Sequence, residues 1–535
     1  MYQTLSKLLF LISIISLCSS CARRGKPTGG PYDSIPPVLI KAVPELETIN
    51  FTEKKFKIYF DEYIKIKDIK RNLVISPPQK YEPIITPAGS ASKFISIKIL
   101  DTLDANTTYS FNFGNSIVDN NEENELGNFK YVFSTGTYID SLNLTGEVLD
   151  PKIKDVTKNI AVMLYEYNEF FTDSIIFKEK PRYIANTLDT TLYDITNLRS
   201  GKYLLIALRD GNNNSIYDPR SDKIGFLADT ISIPTDTSYN LVVFKEIPEL
   251  KVIKPKELHS GHLIFGFMGD AEGLKIDLLT EKPEGFNSSI VFEKDKDTLN
   301  YWYTPFENDS LNFTVSLGDY SEDFTLKTRK PDIDSLSVTK YAGGSLHILD
   351  TFSITTNTPI VNLDKSLIKV TDIDTVEVDF NAILDPSKTK LYVDFEKKYD
   401  NSYHIEILPN TITDLFGISN DSLDVKLKTK TPEDYGIINV DLYSELDTSF
   451  IIELLNEKGD IIRTVKTPEE DLIPFELLEP GIYLVRIILD KNRNGVWDTG
   501  NFLERRQPED IRFFKDRPIE IRANWDIIEE FYIDK

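Results

Sequence analysis

A chain of 535 residues is longer than one hydrophobic core can serve, so several domains are expected. Its formal charge of −24 excludes nucleic acid, or a broad anionic membrane surface, as the partner of the molecule as a whole, because both would repel it. With 41% hydrophobic and 11% aromatic residues it is too apolar for global disorder, and its only cysteines, Cys18 and Cys21, lie too near the N-terminus to staple a fold.

Lys7 supplies a positive charge, Leu8 to Leu17 form an apolar run, and Ser19-Ser20-Cys21 close it with small residues. That run is about half of the ~20 residues that cross a bilayer, which predicts a cleaved export signal over residues 1–20. The cysteine at the cut resembles that of bacterial lipoprotein signals, and the resemblance implies that Cys21 becomes the lipidated first residue of the mature chain. Cys18 departs from the usual leucine three residues ahead of the cut, and an ordinary signal with an incidental cysteine is the alternative. Cleavage leaves a single thiol, so no internal disulfide forms and burial alone holds the folds. Arg23, Arg24 and Lys26 follow directly and suit lipid headgroups.

Past residue 35 the apolar runs are short, alternate with polar residues and are rich in Ile, Val, Phe and Tyr, as in Phe56-Lys57-Ile58-Tyr59-Phe60 and Leu391-Tyr392-Val393-Asp394-Phe395. Period-two runs broken by Asn, Asp, Gly and Pro predict half-buried antiparallel strands, so the mature chain is expected to be all-β. An internal repeat sets the plan. Gly201-Lys202-Tyr203 runs into Asp210-Gly211-Asn212-Asn213-Asn214 and Asp218, while Gly481-Ile482-Tyr483 runs into Asp490-Lys491-Asn492-Arg493-Asn494 and Asp498, with the same offsets. The segments ahead of them correspond too: Tyr109 and Ile117-Val118-Asp119 match Tyr403 and Ile412-Thr413-Asp414. Proline joints at Pro248, Pro331 and Pro432 mark boundaries.

Ile35-Pro36-Pro37, Pro44 and Ile58-Tyr59-Phe60-Asp61-Glu62 resemble bacterial Ig-like domains of the S-layer type. Leu144-Thr145-Gly146-Glu147-Val148 and Gly201-Lys202-Tyr203 resemble the transthyretin-like, carboxypeptidase-regulatory fold. The expected order is a signal over 1–20, a linker over 21–34, an Ig-like domain over 35–137, a transthyretin-like domain over 141–246, a β-sandwich over 250–330, an Ig-like domain over 331–432 and a transthyretin-like domain over 436–535. This tandem array, with its Pro27-Thr28-Gly29-Gly30-Pro31 linker, resembles Ig-like lipoproteins of the Bacteroidota. In that group, surface display goes with acidic residues after the cysteine. The basic residues here therefore point to the periplasmic face of the outer membrane. The repeated Asp-Ser/Thr-aliphatic triplets, such as Asp229-Thr230-Ile231 and Asp421-Ser422-Leu423, resemble the O-glycosylation sequon of that group, or simply open strands.

Candidate chemistry is sparse. Asp210, Asn212, Asn214 and Asp218, and likewise Asp490, Asn492, Asn494 and Asp498, place oxygen side chains at positions one, three, five and nine of a loop, the EF-hand spacing for calcium. Both loops lack the acid at position twelve, where Ser221 and Asn501 stand, and the alternative is a metal-free turn held by Asx side chains. Calcium is the one cofactor worth considering. His259 and His262, with His347 and His404 the chain's only histidines, fall short of a zinc ligand set. No nucleophile elbow or phosphate loop is present, which argues against an enzyme. The expected function is a non-enzymatic scaffold, a rod of β modules tethered to the membrane by lipid, which meets an envelope protein through strand edges and takes no nucleic acid or small-molecule substrate. The alternative is carbohydrate binding on Trp302, flanked by Tyr301 and Tyr303.

Overall fold

The computed structural model describes residues 33–153, 158–293, 296–329, 332–339, 341, 343–468, 471–514 and 518–533. The export signal, Cys21, the basic residues after it, the Pro27–Pro31 linker and the Lys330-Pro331 joint lie outside them. Among the described residues the α-helical content is the single turn Ile69–Asn72, and no helix is long and apolar enough to cross a membrane. The chain is all-β, as its alternating pattern predicts. It divides into two compact units: residues 1–142 with 197–199, and residues 143–196 with 200–535.

The first unit holds a two-sheet sandwich. Strands Leu39–Val43, Lys55–Ile66, Ser92–Lys98 and Ile84–Thr86 lie side by side, with Ile117–Asp119 also on Lys55–Ile66. Val74–Ser76, Thr108–Asn112 and Lys130–Ser134 form the second sheet. Alternation does the sorting: Phe56, Ile58 and Phe60 point inward, and Phe56 stacks on Tyr131 at 4.0 Å between ring centroids. The Tyr109 hydroxyl accepts the Asp104 N–H at 2.8 Å, a tyrosine corner that pins the crossing between sheets. Asp119 accepts the N–H groups of Asn121, Glu122 and Asn124 at 2.7–2.8 Å and so closes the next turn.

In the second unit, residues 338–428 repeat these devices. Tyr403 accepts the Lys398 N–H at 2.8 Å, and Asp414 accepts those of Phe416 at 3.0 Å and Ile418 at 2.8 Å. The Thr135 and Thr429 hydroxyls accept the N–H groups of Thr107 and Asn401 in the two copies. The matched sequence segments are thus matched turns.

The repeat that carries the Asp-Asn loops is a repeat of topology as well. Leu142–Leu149 lies between Leu192–Leu198 and a parallel partner, Tyr239–Val242. Gly436–Ser444 lies likewise between Leu472–Leu478 and a parallel Asp526–Ile533. Each is faced by a second sheet, ordered Tyr183–Asn186, Ala161–Glu166, Gly201–Arg209, Lys223–Phe226 in one copy and Ile461–Thr467, Ser449–Asn456, Gly481–Asp490, Ile511–Phe513 in the other. Gly146 is required by the parallel pair: a Cβ there would stand 1.9 Å from the Tyr239 carbonyl oxygen. Between the repeats, residues 251–327 form another sandwich, with Lys251–Val252, His262–Met268, Thr298–Tyr303 and Ser288–Glu293 opposite Lys275–Leu278, Ser310–Leu317 and Tyr320–Lys327.

The second unit is not a rod of neighbours in sequence. Its last module packs back onto the module that begins at residue 143. Phe502 is fully buried against Phe226 and Phe177, with ring centroids 5.3 and 6.4 Å away, and the Arg505 guanidinium lies 4.4 Å from its ring centre. The Thr499 hydroxyl donates to the Lys245 carbonyl at 2.7 Å, the Gln507 amide to that of Phe226 at 2.9 Å, and Arg486 to that of Lys152 at 3.1 Å. Arg505 pairs with Asp173, and the Phe502 N–H is held by the Glu246 carboxylate. A rod of modules in chain order is what the tandem array suggests; instead the loop around Phe502 carries an apolar anchor past the two modules in between.

Candidate functional site at the paired Asp-Asn loops

The two loops leave equivalent strands, Gly201–Arg209 and Gly481–Asp490, and fold alike. In the first, the Asp210 carboxylate accepts the Asn212 N–H at 3.0 Å and the Ser215 N–H at 2.7 Å. In the second, Asp490 accepts those of Asn494 at 3.0 Å and Gly495 at 2.8 Å. The Asn214 and Asn494 side-chain oxygens each accept the N–H two residues on, at 2.8 Å. Position six takes a left-handed backbone in both, φ 59° at Ser215 and 75° at Gly495, so the serine bears a strain that the glycine avoids.

Each loop also has an acid that its spacing did not reveal. Asp222 accepts the Gly211 N–H at 2.9 Å with one oxygen and the Asp218 N–H at 2.8 Å with the other. Glu509 does the same for Lys491 at 2.9 Å and Asp498 at 3.1 Å. These clamps are equivalent in space but stand four and eleven residues after the last loop aspartate, so a fixed-offset comparison passes over them.

The last aspartates differ. Asp218 pairs with Arg220, 2.9 Å from its Nε, and that partner holds its carboxyl below the ordinary range against the push of burial. Asp498 instead accepts the side-chain amides of Asn492 at 2.6 Å and Asn494 at 2.7 Å. Burial pushes the Asp210 carboxyl up, outweighing the Ser215 N–H that lowers it. With Asp218 bound to arginine, the second loop is the better fit for a hard cation, and there Asp490, Asn492, Asn494 and Asp498 would supply the oxygens.

Both loops reach one cavity of about 540 Å³ within the second unit, where Arg220 of the first and Trp497 of the second line it beside Ile247, Ile253 and Met268. The Lys152 ammonium stands 3.6 Å from the Trp497 ring centre. Burial, with Arg486 nearby, lowers the pKa of Lys152. Trp497 donates its indole N–H to the Glu509 carbonyl at 3.0 Å, whereas its counterpart Tyr217 is buried and donates to Glu246 at 2.7 Å.

The remaining candidates fall elsewhere. Trp302, Tyr301 and Tyr303 are all buried, which overturns the carbohydrate platform drawn from their clustering. Trp302 stacks on His262 at 3.6 Å and meets Phe416 edge-on at 6.1 Å, so the apparently two-faced strand is covered on both faces. Asn300 holds His262 Nε2 at 2.8 Å, and burial lowers that imidazole's pKa. His347 Nε2 lies 2.9 Å from the Leu477 carbonyl. His404 bonds Asp424 at 2.9 Å and, with Glu406, forms a surface cluster with metal-ligating atoms, which sequence spacing does not reveal because Asp424 sits on the neighbouring strand.

Residues 33–135 match the family described as bacterial Ig-like domain. No curated protein matches the chain in sequence. Among solved structures, domains 1–6 of the surface layer protein SbsC are similar at 10% identity and a TM-score of 0.14, over 85% of this chain and 64% of that one. Titin domains A168–A170 are similar at 11% identity and 0.14, over 45% and 92%. The major pilin subunit BcpA of Bacillus cereus is similar at 11% and 0.14, over 74% and 100%. The chain spans less than two thirds of the SbsC fragment, and these likenesses carry no functional argument.

Proposed function

We propose that this chain is an outer-membrane lipoprotein, anchored through Cys21 on the periplasmic face, that serves as a non-enzymatic scaffold subunit for another envelope protein. The observation that supports it best is the interlock of the two repeated modules in the second unit. There, the polar groups of both Asp-Asn loops go into holding turns, and Phe502 into docking one module on the other. Such a platform has a fixed shape and offers surfaces rather than chemistry. Among the described residues one of its sheets ends at the strand Asp526–Ile533, whose Ile528 and Tyr532 are more than half exposed, a form suited to strand addition by a partner. Affinity purification of the full-length protein from gently solubilised outer membranes, followed by mass spectrometry, tests the reading. A stoichiometric membrane-protein partner is expected; recovery of the protein alone would refute the scaffold role.

A further inference from the structure

We infer that the outward face of the larger sheet in the first unit binds anionic lipid headgroups and lays that module against the membrane; the inference rests on the anchored reading above. Cross-strand pairing builds the face. Lys41 lies opposite Tyr59, which lies opposite Phe94; Val43 is paired with Lys57 in the next outward row; Lys55 pairs with Lys98, and Lys98 with Ile84 in the third. These rows carry four lysines and no carboxylate, in a chain where Asp and Glu number 85 against 61 Lys and Arg; the next outward position, Asp61, spends its carboxylate on the Val38 N–H at 2.8 Å. The four come from three strands, Lys55 and Lys57 sharing one, so their row is assembled by register and not by one charge run.

The chemistry of the face is that of a membrane interface. The Lys41 ammonium stands 5.3 Å from the Tyr59 ring centre and that of Lys57 5.1 Å from Phe94, while the two rings are 5.7 Å apart. At the rim, Lys93 stands 5.5 Å from Tyr63. Val43, Ile84 and Phe94 are 53%, 50% and 37% exposed, unusual for the solvent side of an antiparallel sheet. Lysine stems lying over aromatic rings keep their ammonium groups outermost, at the level of phosphates, with rings and aliphatic groups beneath at the headgroup boundary.

Net charge does not forbid this. At physiological salt the screening length is about 8 Å, so a surface responds to the charges it touches and not to distant carboxylates. Reach is sufficient: the twelve residues from Cys21 to Asp33 span at most about 40 Å when extended.

The test uses the full chain carrying Cys21→Ser, which has no lipid of its own, sedimented with vesicles. Vesicles of about three parts phosphatidylethanolamine to one part phosphatidylglycerol are compared with pure phosphatidylcholine. Binding to the anionic vesicles alone, abolished near about 0.5 M salt, is expected. K41Q/K57Q and, separately, K55Q/K98Q should each weaken it about thirtyfold, at roughly 1 kcal/mol per lysine. Unchanged binding in both double variants, or a loss confined to R23Q/R24Q/K26Q, overturns the inference. Using two double variants keeps it testable if one of them misfolds. The mass of the Cys21 peptide from native membranes is measured separately. An unlipidated Cys21 beside face-dependent vesicle binding would remove the anchor and keep the face, and a lipidated Cys21 with unchanged variants would do the reverse.

Discussion

Phe502→Ala isolates the force that folds the second unit back on itself. The ring is fully buried and belongs to the last module, yet its aromatic neighbours Phe226 and Phe177 belong to the module that begins at residue 143. Burying a phenyl ring removes at least ~150 Å² from water, worth about 4 kcal/mol at ~25 cal/mol/Å², and the edge contacts add roughly 0.5–1.5 kcal/mol each. Little of the cavity left by alanine can close, because the Glu246 carboxylate and Gln507 amide hold the backbone on either side. The loss should therefore be about 3–5 kcal/mol. Urea unfolding with hydrogen exchange provides the assay. The variant should show faster exchange at Lys223–Phe226 and in the loop around Phe502, with the sheets of each module intact. Parental exchange at both places would mean that other contacts hold the interface and that the aromatic anchor is not its energetic centre.

Further outcomes follow from the same geometry. The Asp-Asn loops should be metal-free turns, with melting temperatures in calcium and in chelator equal within about 1 °C; a rise of several degrees in millimolar calcium, lost in Asp490→Ala, would return the ion to the second loop. Tyr403→Phe should cost roughly 1–3 kcal/mol by leaving the Lys398 N–H without its acceptor, read by chemical denaturation, and Tyr109→Phe should do the same for Asp104 in the first unit. Gly146→Ala should abolish or sharply weaken folding of its module, because the new methyl carbon collides with the Tyr239 carbonyl; a parental melting curve would show that the parallel pair is not formed. Burial, helped by His259, lowers the folded pKa of His262 below the ordinary 6.5 against the Asn300 hydrogen bond that raises it. The unfolded chain then binds the proton first, and stability should fall as pH drops below about 6.5, a slope that His262→Gln should flatten.

The sequence made the strands legible because each buries one face, so Phe56-Lys57-Ile58-Tyr59-Phe60 shows its core as a period of two. The duplicated loops were legible because Asp, Asn and Gly or Ser at fixed offsets satisfy a fixed set of backbone N–H groups. What escaped was whatever depends on pairing between distant segments. Asp222 and Glu509 hold equivalent places without sharing an offset. Trp302 left a sugar platform open beside a core strand because a strand has two faces, and nothing local says that His262 and Phe416 cover the second. The lysine face was hidden in the same way, since Lys41, Lys57 and Lys98 meet only through register.

The convergence of both loops on one junction bears on what they are for. A loop built to hold an ion needs its side-chain oxygens turned to a common point, and its surroundings can be anything that keeps solvent at bay. A loop built to dock needs its outer residues shaped to a neighbour, and its side-chain oxygens free to stiffen its own backbone. The outer residues of the two copies meet the second requirement and differ where docking would make them differ. Tyr217 turns inward to Glu246, while Trp497, at the same offset, turns outward to meet Lys152. Arg220 neutralises Asp218 beside the cavity, while the second copy sends Thr499 and Phe502 across to Lys245 and Phe226. One turn frame thus carries two different outer surfaces, each fitted to a face of the same junction. Exchanging Tyr217 and Trp497 tests the distinction: it would leave an ion site untouched and should instead open the interface.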